Sequence, residues 1–222
     1  MKDIAQMIDQ TLLKNDVTSE QVRQFVLDAK KHPFKAICVY GAQARFCMEL
    51  LEGSDILLCT VAGFPSGQVD VKSKVFEAQE SIRAGAKEVD YVINTVAAKS
   101  GHFDFVEEEM KQIVSACHEA GAGCKVIFEN CLMTDDEKKR LCEIASRVRP
   151  DFIKTSTGFG SGGATIEDVR LMRENVPAEV KVKAAGGIRT AQAAAQMIEA
   201  GAERIGTSGG AQIVEEYAKL QA

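Results

Sequence analysis

Val180-Lys181-Val182-Lys183-Ala184-Ala185-Gly186-Gly187-Ile188-Arg189-Thr190 holds a whole structural unit. A short apolar run ends on paired glycines, and a threonine suited to cap a helix follows. The stretch therefore predicts a buried strand, a tight turn and a helix start. Phe152-Ile153-Lys154-Thr155-Ser156-Thr157-Gly158 repeats the strand and the turn in the preceding unit. Each run carries a lysine near its end, Lys154 and Lys183. Lysine is almost never fully buried without a partner or a purpose. Two at equivalent points of neighbouring units point to an amine made reactive by another amine. The competing reading is that each lysine snorkels from a strand end into solvent.

Working outward, further strand-like runs cover Met7 to Thr11, Ala36 to Tyr40, Leu57 to Ala62, Glu88 to Asn94 and Cys124 to Glu129. With Asp151 to Thr155, Val180 to Ala184 and Arg204 to Thr207 they make eight. Helical patterns lie between them. Thr18 to Gln21 and Thr134 to Glu137 read as capping boxes, and Thr165 and Thr190 as N-caps. Gly85, Gly121 and Gly201 each follow a helical pattern and precede a strand, within the weak repeat Ala-Gly-Ala. Runs spaced under ~30 residues apart match the size of βα units. The fold class predicted is α/β, a (β/α)8 TIM barrel over residues 1–222 as a single domain. A doubly wound open sheet is the alternative, because sequence does not give strand order.

Composition narrows the function classes. A net charge of −5 with no basic block argues against nucleic acid as a partner. No apolar stretch approaches the ~20 residues of a membrane span. Met1-Lys2-Asp3-Ile4 does not open a signal peptide. The seven cysteines are scattered without a C-x-x-C, which points to neither disulfides nor zinc and fits a cytoplasmic protein. His32, His102 and His118 show no metal-binding pairing, so a dedicated metal site is not expected.

Residues two apart along a strand share a face. Glu88, Asp90, Val92 and Asn94 are then expected to face the barrel interior. So are Lys125, Ile127 and Glu129, Phe152 and Lys154, Lys181 and Lys183, with Asp9 joining from the first strand. Barrel interiors are ordinarily filled by Val, Ile and Leu. A charged interior is expensive to desolvate, so chemistry explains it better than stability. Bringing a lysine amine from ~10.4 to ~7 costs ~4 kcal/mol. A second ammonium ~4 Å away supplies that only at an effective dielectric near ~20. The neutral amine attacks a carbonyl to give a Schiff base, and Asp90 is the best-placed carboxylate for proton transfer. Lys125 and Lys181 read as charge partners. The Gly186-Gly187 loop and Ser208-Gly209-Gly210, each before a helix, suit a phosphate group. Gly158 to Gly163 fits G-x-G-x-x-G, but after the sixth predicted strand and not in a first βα turn, so it reads as a flexible loop on the phosphate side. Gly63-Phe64-Pro65-Ser66-Gly67 has its serine out of register for a nucleophile elbow.

At these residues the chain resembles the deoxyribose-phosphate aldolase family, class I aldolases on a (β/α)8 barrel. The resemblance is carried by Ile8 to Leu13, Cys59 to Pro65, Glu88 to Asn94, Phe152 to Gly158 and Lys183 to Thr190. It implies reversible cleavage of 2-deoxy-D-ribose 5-phosphate to D-glyceraldehyde 3-phosphate and acetaldehyde. It implies Lys154 as the Schiff-base lysine, Lys183 as the neighbour that perturbs it, and Asp90 as the proton-transfer group assisted by Lys125. It places Asp9, Gly158, Gly186, Gly187 and Ser208 on the substrate side. It implies a phosphosugar partner and a homo-oligomer, commonly a dimer. The chain departs from the family in three places. Gln10 stands where His is common, next to Asp9. Gly209 stands where a second serine is usual. Thr95-Val96-Ala97-Ala98 replaces a glycine-containing segment. Another Schiff-base lyase, or a non-catalytic phosphosugar-binding barrel, would share most of these features.

Overall fold

The computed structural model describes residues 4–220, so Met1 to Asp3, on which the N-terminal reading rests, lie outside the described residues. Eight parallel strands form a closed barrel in sequence order, with the last pairing the first. They are β1 (Ile8–Thr11), β2 (Ala36–Tyr40), β3 (Leu57–Ala62), β4 (Glu88–Val92), β5 (Gly123–Ile127), β6 (Phe152–Lys154), β7 (Lys181–Ala185) and β8 (Arg204–Thr207). Closure excludes the open doubly wound sheet. The helices are α1 (Ser19–Ala29), α2 (Ala44–Leu50), α3 (Val71–Arg83), α4 (Thr95–Lys99) and α5 (Phe103–Glu119), then α6 (Asp135–Val148), α7 (Ile166–Glu174), α8 (Ala191–Glu199) and α9 (Gly210–Leu220).

Local chemistry sets the helix boundaries where the sequence indicates. Thr18 and Gln21 form a reciprocal capping box on α1, as Thr134 and Glu137 do on α6. Thr165 accepts from the Asp168 N–H and Thr190 from the Ala193 N–H, which satisfies otherwise orphaned donors. Strand ends shift by a residue or two from expectation, and four positions matter for the interior. Met7 belongs to a 3-10 turn, Ile4–Met7, before β1. Asn94 has left the sheet and caps α4 by accepting from the Ala97 N–H, so it does not face the interior. Glu129 lies beyond β5 in left-handed backbone at φ 56°. Lys181, at the lower end of β7, is exposed, with its Nζ 5.6 Å from the centre of the Phe152 ring. It sits too near the start of its strand to reach the interior charges, and its reading as a charge partner is corrected accordingly.

The main apolar core lies between the outer faces of the strands and the helices. Inside the barrel one apolar cluster, Leu13, Ala36, Cys38, Cys59 and Val61, lies on the β1 to β3 side, and the buried Val92, Ile127 and Phe152 add to it from β4 to β6. The rest of the interior is charged, with Lys125 and Arg204 packed against the Phe152 ring. Register accounts for this: Asp90 lies beside Lys125, Lys154 beside Lys183, and Lys183 beside Arg204.

Candidate active site

Asp90 is fully buried at the centre of the charged interior. Its Oδ1 accepts from Lys125 Nζ at 2.9 Å and from Cys59 Sγ at 3.1 Å. Its Oδ2 accepts from Lys154 Nζ and from Lys183 Nζ, each at 2.8 Å. The two amines therefore lie no more than twice 2.8 Å apart, with a carboxylate oxygen between them. Lys183 also donates to Asp9. Arg204 spans Asp9 Oδ1 at 2.7 Å and both oxygens of Glu88, at 2.9 and 3.1 Å. Lys125 closes the network on Glu88 Oε2 at 2.7 Å.

Opposed effects fix the charge states. Burial pushes the Asp90 carboxyl up, but Lys125, Lys154 and Lys183 outweigh it and hold the group well below the usual carboxylate range. Asp9 is lowered too, against its own burial, by Lys183 and Arg204. Glu88 is lowered against burial by Lys125 and Arg204. Burial works against the charged forms of Lys125, Lys183 and Arg204, yet the neighbouring carboxylates raise all three. Three anions thus balance three cations, and Lys154 is the seventh charged side chain of the cluster. It touches one carboxylate oxygen, whereas Lys183 touches two carboxylates.

A cavity of about 260 Å³ opens above this cluster at the C-terminal end of the barrel. Lys154 is the one member of the seven on its wall. Gly158, Gly186, Gly187 and Ser208 line it as well, with Lys14 and Arg189 supplying positive charge. Asp90, Lys125, Lys183 and Asp9 lie beneath it with no exposed surface. Gly163 and Gly186 pack back to back: a Cβ on Gly163 would strike the Gly186 carbonyl, and one on Gly186 would come within 2.9 Å of the Gly163 Cα. The glycine-rich loop after β6 is therefore a brace for the loop after β7, with the Ala164 N–H donating to Ala185 O at 3.0 Å. Gln10 ties β1 to the last loop, donating to Ser208 O at 3.1 Å and accepting from the Gly210 N–H at 2.8 Å.

Cys38, Cys59 and Asp90, and likewise Asp9, Cys59 and Glu88, present ligand atoms within 4.8 Å of one another. Lys125 Nζ already occupies the shared space, 3.3 Å from Cys59 Sγ and 2.9 Å from Asp90. An ammonium fills the role a metal cation would take there. Arg204 is the residue that sequence reasoning passes over. Its signal is a charged residue opening an apolar strand, one register step from Lys183.

The model of the DeoC/LacD family aldolases matches residues 4–215. The chain belongs to the DeoC/LacD aldolase family. It is 49% identical to the deoxyribose-phosphate aldolase of Lactobacillus acidophilus, over 97% of this chain and 91% of that one. It is 48% identical to that of Thermococcus gammatolerans, over 96% of each. Among solved structures, a tetrameric deoxyribose-phosphate aldolase from Aeropyrum pernix superposes with a TM-score of 0.90 at 34% identity, covering 98% of this chain and 92% of that one. Among the described residues of this DeoC/LacD aldolase, no helix is long and apolar enough to cross a membrane.

Proposed function

We propose that this protein is a deoxyribose-phosphate aldolase that forms a Schiff base on Lys154. One observation carries the reading. Lys154 is the cluster member that reaches the cavity, and it is the charge left over when the other six cancel. A nucleophile must meet its substrate, and Lys154 is the amine of the cluster that both borders the cavity and touches a single carboxylate.

The steps follow from that amine. Neutral Lys154 attacks C1 of the open-chain sugar and water leaves, giving an iminium. A base takes the proton from the C3 hydroxyl. The C2–C3 bond breaks, its electrons pass into the iminium, and D-glyceraldehyde 3-phosphate departs. The enamine left on Lys154 gains a proton at C2, and hydrolysis frees acetaldehyde and the amine. Asp90, held as a weak base, suits a relay better than a store for the moving proton. Its Oδ2 bridges Lys154 and Lys183 at 2.8 Å each, and Lys125 anchors Oδ1. The phosphate is taken up by the Gly186-Gly187 loop, Gly158 and Ser208, beside Arg189. Asp9 serves from below by holding Lys183. The chemistry needs no metal or organic cofactor.

We further infer a cytoplasmic homo-oligomer, a dimer; the tetrameric Aeropyrum pernix relative supports oligomerisation and not that number. The activity is tested by release of acetaldehyde from 2-deoxy-D-ribose 5-phosphate. Wild type releases it with a chelator present or absent, and Lys154→Ala loses about 10⁴-fold or more. Release that survives in Lys154→Ala would refute the assignment.

A further inference from the structure

Arg204 is buried at the start of β8, beneath the cavity and absent from its wall. Its guanidinium lies on both oxygens of Glu88 and on Asp9 Oδ1, and its Cζ stands 4.9 Å from the centre of the Phe152 ring. It cannot touch a substrate bound above Lys154. Its effect is on the charge count. Without it, three carboxylates face three lysines and no positive charge is left over. Arginine suits the position because it stays charged wherever it is buried, while a lysine could lose its proton.

We propose that Arg204 is a positioning residue for the reaction, the source of the surplus positive charge that keeps Lys154 available as a neutral nucleophile. It acts through Asp9 and Glu88, whose negative charges it shares with Lys183 and Lys125, the two lysines that also hold Asp90. This rests on the reading of Lys154 as the nucleophile. The charged and titratable groups around Lys154 come from all the other strands and from the cavity wall: Asp9 on β1, Cys38 on β2, Cys59 on β3, Glu88 and Asp90 on β4, Lys125 on β5, Lys183 on β7 and Arg204 on β8, with Lys14 and Arg189 on the loops above; those two loop cations are common to every variant compared below. Cys59 is a neutral thiol, pushed up well above its ordinary value by burial. Cys38 is lowered, chiefly by its hydrogen bond with Cys59, so its charge needs a test of its own.

The test is the acid limb of the pH dependence of kcat/KM for 2-deoxy-D-ribose 5-phosphate. Arg204→Met removes one positive charge and moves the limb to higher pH by about one unit. Glu88→Gln removes one negative charge and moves it to lower pH by a similar amount. The double variant restores the count and returns the limb to the wild-type position. Arg204→Lys, which keeps the charge and loses the fork, leaves the limb in place even where kcat falls. A merely structural role would lower activity in all of these without moving the limb, and that pattern overturns the proposal. Should Arg204→Met fail to fold, Glu88→Gln, the double variant and Arg204→Lys still decide it. Cys38→Ser leaves the limb where it is, and a shift of about one unit to lower pH there would overturn the charge count. Borohydride trapping of wild type with acetaldehyde separates the two levels. An adduct on Lys154 with unmoved limbs refutes the role of Arg204 alone, and no adduct on Lys154 refutes the nucleophile assignment beneath it.

Discussion

Lys154 and Lys183 are register mates on β6 and β7, yet their surroundings differ. Lys183 is clasped by Asp9 and Asp90 below the cavity, and Lys154 meets Asp90 alone at the cavity wall. The same sequence signal, a lysine ending an apolar run before glycine, marks both. Only the side-chain geometry separates the proposed nucleophile from a buried counter-ion. A second residue-scale difference concerns Gly209, which stands where the family usually has serine. A Cβ added there would meet Thr207 Oγ1 at 3.7 Å and Arg189 O at 3.9 Å, ordinary contact distances. Gly209→Ser is therefore tolerated and adds a hydroxyl beside the proposed phosphate site. A hydrogen bond to a charged group contributes ~1.5–3 kcal/mol, so KM for the phosphorylated substrate falls roughly tenfold or more. KM for unphosphorylated 2-deoxyribose does not change. Steady-state kinetics on both sugars check this, and an equal change in both would locate the phosphate elsewhere.

At the scale of elements, β4 is held in place from behind by a buried ion pair between helices. Lys74 on α3 donates to Glu109 on α5 and to Val92 O, each at 2.7 Å, and Glu109 accepts from the Asn94 N–H at 2.8 Å. Burial lowers Lys74 and raises Glu109 in spite of their attraction, so desolvation outweighs pairing. The pair satisfies backbone groups at the end of the strand that carries Asp90. Lys74→Met strands a buried carboxylate and the Val92 carbonyl, and destabilises by roughly 3–5 kcal/mol. Urea unfolding measures it, and a loss under about 1 kcal/mol would mean that the end of β4 needs no such support. Neither residue stands out in the sequence, because each falls on an amphipathic helix where a charged residue reads as solvent-facing. The caps are legible for the opposite reason. Thr18, Thr134, Thr165 and Thr190 act on backbone within three residues of themselves, so local sequence contains the whole interaction.

Across the whole molecule, eight apolar runs with period-2 alternation make the barrel and most of its inward residues readable, since alternation fixes a side chain's face. It does not fix depth, which is why Lys181 reads as an interior charge and Arg204 does not. Depth depends on register between strands far apart in sequence. The charged interior also sets how stability depends on pH. Asp9, Glu88 and Asp90 are lowered in the folded state, so their contribution is complete above the unfolded values near ~4 and is lost as pH falls through the folded ones. Lys125 and Lys183 are raised, so theirs is complete below ~10.4 and is lost as pH rises through the folded values. Thermal denaturation should show a flat contribution from the cluster between these limits and loss outside them. A steep fall between about pH 7 and 5 would show that the carboxylates are not held as anions. Underlying the proposed chemistry is the uneven count of charges in the barrel, four cations on three carboxylates, with Lys154 at the cavity. The most direct measurement is peptide mapping by mass spectrometry after borohydride reduction with acetaldehyde at neutral pH. A single ethylated lysine among the barrel's interior amines, Lys154, is expected, and an adduct on Lys183 or Lys125, or none at all, would refute the assignment.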